Sequence, residues 1–298
     1  MDDKLLKRSI VIGSMDFLSL LERKNLIYSD IPLDAVCRHM KSRPDYACMT
    51  DSVFRWLDES PLNSIWFADK DDYPVFDPVQ KHVPYFIFCR GRRPDIRNRH
   101  IAIVGTRHCD YLGLQKSFQL GLEASASCFN VVTGLAEGCD QAAASGCVQL
   151  GAGGGCNAVL GCGLDVNYPS MSRKLKEAII EYNGCLLSKF LPGTPPLRYN
   201  FPDRNLIITA LSDCIIVTQA PAKSGALITA DFALQMGKDV YVSSEGTGTA
   251  ACRAGTDLLC FDGAGVINHI SDIYPKAVAY VKSRNGIRFG SCFYSLNN

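Results

Sequence analysis

From Pro84 onward, short apolar runs rich in β-branched residues alternate with stretches of helical periodicity. The runs are Tyr85-Cys89, Ile101-Val104, Asn130-Thr133, Ala158-Leu160, Cys185-Leu187, Cys214-Thr218 and Val240-Val242. Between them, helical spacing fits Leu112 to Phe129, Ala136 to Leu150, Ser172 to Tyr182, Arg204 to Leu211 and Ala226 to Met236. This alternation predicts an α/β fold with a doubly wound, mostly parallel sheet. Such a sheet binds its ligands beyond the carboxyl ends of its strands, so the loops that follow the runs are where chemistry is expected.

The first 80 residues differ. They read as short helices around Phe17, Leu18, Leu20 and Leu21, then Leu33 to Met40, then Val53 to Leu57, punctuated by Pro32, Pro44 and Pro61. The expected organisation is a small helical unit over 1–80, a sheet domain over 81–275 and a tail, strand or loose, over 276–298. With 298 residues and 47% hydrophobic content, the chain can bury a full α/β core and a second, smaller unit.

A formal charge of +1 supplies no general attraction to polyanions, so a polyanionic partner needs a local patch. Fourteen cysteines are spread along the chain without a CxxC pair, which argues for reduced packing thiols and against a metal site. The acidic start Met1-Asp2-Asp3-Lys4 has no apolar h-region, and no apolar run approaches a membrane span; a soluble, cytoplasmic protein is expected.

Four strand ends carry candidate chemistry. In Val104-Gly105-Thr106-Arg107 a guanidinium occupies the space that a dinucleotide fingerprint leaves empty, which suits an external phosphate better than a bound pyrophosphate. Thr133-Gly134-Leu135-Ala136-Glu137-Gly138-Cys139-Asp140 brackets a helix start with glycines and reads equally well as ligand contact or as a tight turn with acidic capping. Leu160-Gly161-Cys162-Gly163-Leu164-Asp165, followed by Tyr168-Pro169, adds amides at the same edge or simply turns the chain.

The fourth end spans Pro195 to Ala230. Pro202 biases Phe201 toward an extended backbone from which the ring can project. Alone, Phe201 reads as a core aromatic; Arg198 and Arg204 on either side favour a base-stacking platform. Lys223-Ser224-Gly225 resembles the end of a phosphate loop without the GxxxxGK[ST] spacing, so ATP hydrolysis is not indicated. Arg90, Arg92, Arg93, Arg97 and Arg99 form either a solvated loop or an extension of the groove from Arg107. No Ser/His/Asp, Cys/His or paired-carboxylate arrangement is apparent, and no catalytic residue, cofactor or metal is expected.

Taken in order, these five motifs (at Arg107, Gly134 to Asp140, Gly161 to Pro169, Phe201-Pro202-Asp203-Arg204-Asn205, and Ser224 to Ala230) resemble the DNA-processing protein A family, DprA or Smf, over roughly residues 73 to 268. The resemblance implies an extended Rossmann-like domain that binds single-stranded DNA, protects incoming strands in natural transformation and recombination, and helps load the recombinase RecA, without being an enzyme. It also implies a sterile-alpha-motif-like helical unit ahead of the core and a homodimer. Carried onto this sequence, Arg107 would contact phosphate, Phe201 would stack a base, and Arg198 would stand three residues before it. Thr106, Gly134, Gly163, Arg204, Ser224 and Gly225 would complete or support the pocket, with Arg198 and Arg204 joining Arg107 in neutralising phosphates.

Four positions depart from the family pattern. Ala144 replaces a histidine, Leu206 an arginine, Lys189 a glutamate, and Ser244-Glu245 a Pro-Gly turn. Loss of the cation at Leu206 is expected to lower affinity, offset by Lys189 if it faces the groove. The winged helix that ends some members is not expected here. The alternatives are a nucleotide-processing enzyme akin to the cytokinin-activating phosphoribohydrolases, whose PGGxGT loop Gly246-Thr247-Gly248-Thr249 echoes only faintly, and a non-catalytic protein-binding scaffold.

Overall fold

The structure, a computed structural model, describes residues 3–38, 46–68, 70–76, 83–151, 153–248 and 253–274. The expected tail at 276–298 and the end of the helix expected to reach Met40 lie outside the described residues.

Four helices come first: α1 (Asp3–Gly13), α2 (Leu20–Ile27), α3 (Leu33–Arg38) and α4 (Tyr46–Asp58). Ser19 starts α2 with a reciprocal capping box, its hydroxyl accepting from the Glu22 amide at 3.2 Å while the Glu22 carboxylate accepts from the Ser19 amide at 2.8 Å. Phe17 and Leu18 therefore lie in the turn before the helix, and Phe17 is largely exposed, contrary to the expectation of a helix centred on them.

The alternating part follows as β1 (Asn63–Phe67), β2 (Phe86–Gly91), β3 (His100–Val104), α5 (Tyr111–Ala126), β4 (Asn130–Thr133), α6 (Cys139–Val148), β5 (Cys156–Val159), α7 (Arg173–Glu181), β6 (Cys185–Ser188), α8 (Asn200–Leu211), β7 (Cys214–Val217), α9 (Gly225–Gln235) and β8 (Asp239–Ser243). It closes with α10 (Ser244–Gly248), α11 (Arg253–Phe261), β9 (Gly265–Ile267) and α12 (Ile270–Ile273). The strands form one sheet in the order β1-β2-β6-β5-β4-β3-β7-β8-β9. Pairs from β6 to β9 are parallel, and β2 joins both β1 and β6 antiparallel.

The doubly wound expectation holds, with an added antiparallel edge. Along β3, Ile101 and Ile103 face one core while Ala102 and Val104 face the other. Helices α5, α6 and α7 cover the first face through Leu120, Ala143 and Ile179, and α8, α9 and α11 cover the second through Ile207, Ala230 and Leu259. Strand order runs outward from β3 in both directions, β4 on one side and β7 on the other, so the chain changes direction beside β3.

The helical start is not separate from the sheet. Ile10 and Ile12 of α1 and Trp56 of α4 share the first core with Phe86 and Phe88 of β2, and the Trp56 and Phe88 rings meet edge to face at 5.4 Å. Strand β1 lies inside the stretch expected to be wholly helical, with Ile65 opposite Phe88 and Trp66 opposite Ile87. The sheet therefore begins well before residue 81.

Candidate nucleic-acid interface

The loops after β3, β4 and β5 meet the N-terminal ends of α8 and α9 at the carboxyl edge of the sheet. One carboxylate fixes the first two loops: Asp140, in the first turn of α6, accepts from the Gly105 amide at 3.1 Å and the Gly134 amide at 3.0 Å. Burial pushes its carboxyl pKa up, opposed by the nearby Arg204 guanidinium and by these amides. Gly138 makes the turn into α6 with φ at +82°, and a Cβ there would stand 2.6 Å from the Thr106 carbonyl. Asp140 thus ties two loops together, a role beyond the acidic capping expected of it.

The loop after β3 is clasped to the loop after β7 by Gln219. The Thr106 amide donates to the Gln219 carbonyl at 2.8 Å, and the Gln219 side-chain amide donates to Asp110 at 2.8 Å. Asp110 itself caps α5 by accepting from the Gly113 amide at 2.8 Å. Thr106 is buried by these contacts, whereas Arg107 next to it is exposed. The backbone anchors the loop, leaving the guanidinium outside.

Phe201 lies in the first turn of α8, so the expected extended backbone is not found. Pro202 is accommodated there because the first N–H groups of a helix have no intrahelical acceptor to lose. Asn200 secures the turn, its side-chain amide donating to the carbonyls of Gly161 at 3.0 Å and Pro195 at 3.1 Å. The Phe201 ring has the Arg107 guanidinium 5.0 Å from its centroid, the Arg204 guanidinium at 5.8 Å, and the Tyr168 ring at 5.9 Å.

The two arginines around that ring do different things. Arg204 is buried and donates to the carbonyls of Gly134 and Val159 and to the Asn205 side chain. Burial lowers its pKa, opposed by Asp140. The expectation that Arg204 neutralises a phosphate is corrected: its donors hold the ends of β4 and β5 to α8. Gly134 has no room for a side chain because the Arg204 guanidinium fills that position.

A groove runs through this assembly in two parts. A cavity of about 60 Å³ lies between Phe201, Tyr168, Gly161 and the Gly134 loop. One of about 340 Å³ lies between Thr106, Arg107, His108, Asn205 and Lys223-Ser224-Gly225. Arg107, Phe201 and Arg204 line both. Ser224 caps α9, its hydroxyl accepting from the Ala226 amide at 3.2 Å, and the positive end of that helix faces the larger cavity.

Of the residues expected at the site, Thr106, Arg107, Gly134, Phe201, Arg204, Ser224 and Gly225 line the groove. Gly163 does not: it is buried, its amide donates to the Thr194 carbonyl at 2.9 Å, and Gly161 lines the groove instead. Arg198 is exposed but outside both cavities. The lining also includes His108, Tyr168, Asn205 and Lys223; of these, Asn205 carries a signal through the Phe201 motif, Lys223 through its Ser-Gly neighbours, and Tyr168 through the Tyr-Pro step after Asp165.

Of the two readings of the basic run, the extension of the groove from Arg107 is not found for Arg92 to Arg99. Arg107 follows the carboxyl end of β3, whereas Arg92 to Arg99 precede its amino end, on the opposite edge of the sheet. There Arg93 pairs with Asp72 at 2.7 Å, Arg97 with Asp95 at 2.6 Å, and Arg99 lies 5.5 Å from the Tyr274 ring centroid.

A sequence profile of the family described as DNA recombination-mediator protein A matches residues 64–277. The chain belongs to that family. It is 43% identical over 194 residues to Protein Smf of Synechocystis, covering 63% of this chain and 48% of that protein. It is 35% identical over 176 residues to DNA processing protein DprA of Streptococcus pneumoniae, covering 59% and 61%. The chain thus spans less than two thirds of the length of these relatives.

Among solved structures, the X-ray structure of Streptococcus pneumoniae DprA superposes with a TM-score of 0.71 at 26% identity, covering 92% of this chain and 95% of that one. DNA processing protein A of Helicobacter pylori, whose structure concerns its single-stranded DNA binding mode, gives 0.60 at 26% identity, covering 74% and 96%. The Rossmann-like architecture of the DprA proteins is therefore the architecture of this chain.

The departures from the DprA pattern take a different meaning in three dimensions. Leu206 is only 2% exposed and lines neither cavity, so it presents no side chain to the groove. The Lys189 side chain is buried and bridges to Asp203 at 3.0 Å and Asp16 at 3.7 Å, linking α8 to the helical start rather than facing the groove. Ala144 is buried under α5, and Ser244-Glu245 begin α10, where Glu245 pairs with Lys116 at 3.4 Å.

Proposed function

We propose that this chain binds single-stranded DNA in the groove at the carboxyl edge of its sheet, protecting strands during recombination and transformation. By analogy with the relatives, it would act in the cytoplasm as a homodimer that helps load RecA. The observation that carries the reading is the Phe201 ring with the exposed Arg107 guanidinium 5.0 Å from its centroid, beside the capped start of α9. A planar ring, an exposed cation and a helix N-terminus supply stacking, phosphate neutralisation and amide donors in one place.

In this arrangement a base occupies the ring face that Arg107 covers, and Arg107 swings onto the adjoining phosphate. Arg204 keeps the platform in place without touching the strand. Exposed Arg107, Lys223 and Arg198 are the phosphate partners. Backbone contacts and stacking give affinity with little sequence preference.

The groove is read as non-catalytic. Asp140, its buried carboxylate, is engaged by the two backbone amides it accepts from, which leaves it no free role as a base. Incubation with nucleoside monophosphates is expected to release no free base. The DNA reading is tested by gel-shift competition between single- and double-stranded DNA, followed by a salt titration. Three phosphate contacts give a log–log slope of about −2, from roughly −0.7 per contact on single strands. Equal competition by the duplex, or affinity indifferent to salt, would sink it.

A further inference from the structure

The loop from Leu160 to Pro169 has two sides. Tyr168 and Pro169 form a wall of the Phe201 pocket, and Leu164 to Asn167 form a wall of a separate cavity of about 250 Å³, enclosed by α7 and the β2–β6 pair. Three cations line this second cavity: Arg90 from β2, and Arg173 and Lys176 from successive turns of α7.

Two of the three lack the partners such groups ordinarily have. The Nε of Arg90 is enclosed and has no acceptor among the described residues. Lys176 is 8% exposed, and its ammonium donates to the Tyr168 carbonyl at 2.9 Å without a carboxylate within salt-bridge distance among the described residues. Burial lowers its pKa. An enclosed guanidinium nitrogen without an acceptor is costly, and an anion beside the remaining, half-buried part of the Arg90 guanidinium offsets that cost. The carboxylates lining the cavity are already engaged: Asp165 accepts from the Gly193 amide at 2.8 Å, and Glu177 pairs with Arg173 at 3.2 Å.

We propose that this cavity is a second phosphate site, occupied by a backbone phosphate of the strand as it leaves the Phe201 pocket over Tyr168. The inference rests on the single-stranded DNA reading above. The shared wall supplies the continuity, because Lys176 holds the carbonyl of the residue whose ring stands 5.9 Å from Phe201. Arg90, the one member of the basic run that lines this cavity, would thereby assist the groove from the side rather than by extending it from Arg107.

The test is fluorescence anisotropy with the full chain and two oligothymidylates, one of about 4 nucleotides that fills only the Phe201 pocket and one of about 12 that reaches beyond it. Arg90→Gln is expected to weaken the longer strand several-fold and flatten its salt slope by about 0.7, while leaving the shorter strand unaffected. Arg90→Lys should restore most of the loss. If Arg90→Gln does not fold, Arg173→Ala at the exposed rim takes its place, with the same expected direction.

Arg107→Ala in the same series separates the two claims. If it weakens both strands while Arg90→Gln changes neither, the second site is overturned and the groove stands; if Arg107→Ala changes neither, the groove itself fails. Inorganic phosphate is the third probe. Protection of the wild type against thermal unfolding that is lost in Arg90→Gln, with strand affinity unchanged, would mark a site for free phosphate and overturn the assignment to the strand.

Discussion

The two edges of this sheet carry comparable numbers of arginines and use them in opposite ways. At the amino edge of β3, Arg93 and Arg97 are closed by Asp72 and Asp95, and Arg99 lies against Tyr274. At the carboxyl edge, Arg107 projects from a loop anchored through the Gly105 and Thr106 backbone, with an aromatic ring as its neighbour. A run of cations along a chain therefore says less about anion binding than the end of the strand at which the run falls. Parallel topology gathers the loop amides and helix starts at one edge only.

The largest effect expected at the carboxyl edge concerns the fold rather than binding. Arg204→Met leaves Asp140 buried without its cation and frees the carbonyls of Gly134 and Val159, so stability should fall by about 3–5 kcal/mol. Urea unfolding measures it, and a loss confined to DNA affinity would show that Arg204 is a contact residue after all. Next is Phe201→Ala, expected to cost about 1–3 kcal/mol of single-strand binding through lost stacking, with unfolding little changed beyond the half-buried ring.

At the amino edge the effects are smaller. His100 is a buried member of β3, its Nδ1 2.8 Å from the Asn98 carbonyl and its Nε2 3.3 Å from the Asn130 amide. Burial lowers its pKa, outweighing the raising effect of Asp213 and Asp95. The unfolded chain therefore takes up the proton first, and stability contributed by neutral His100 is present above about pH 6.5 and declines as pH falls below it. His100→Gln should flatten that decline in thermal unfolding followed against pH. Smallest of all, Arg93→Ala with Arg97→Ala should leave single-strand affinity unchanged, because both residues pair with surface carboxylates away from the groove.

What could be read from the sequence follows from how local each feature is. Strands β2 to β8 announce themselves because both faces are buried and the apolar runs are nearly continuous. β9 is three residues long, and β1 follows Pro61 with a mixed Asn63-Ser64-Ile65 start, so neither stands out. Arg107 was identifiable as a guanidinium placed directly after a buried strand. The role of Arg204 was not, since the carbonyls it holds lie 70 and 45 residues away in the chain. Gly163 and Gly161 share one motif, and only the packing of Phe201 against Gly161 decides which of them faces the groove.

Arg107 at the carboxyl edge and Arg92 at the amino edge are both exposed. Anisotropy titrations of single-stranded oligothymidylate against wild type, Arg107→Ala and Arg92→Ala, each at several salt concentrations, set them against each other directly. The predicted result is weaker binding and a slope flattened by about 0.7 for Arg107→Ala alone, with Arg92→Ala matching wild type. Equal losses in both variants, or a loss in Arg92→Ala only, would contradict a groove at the carboxyl edge.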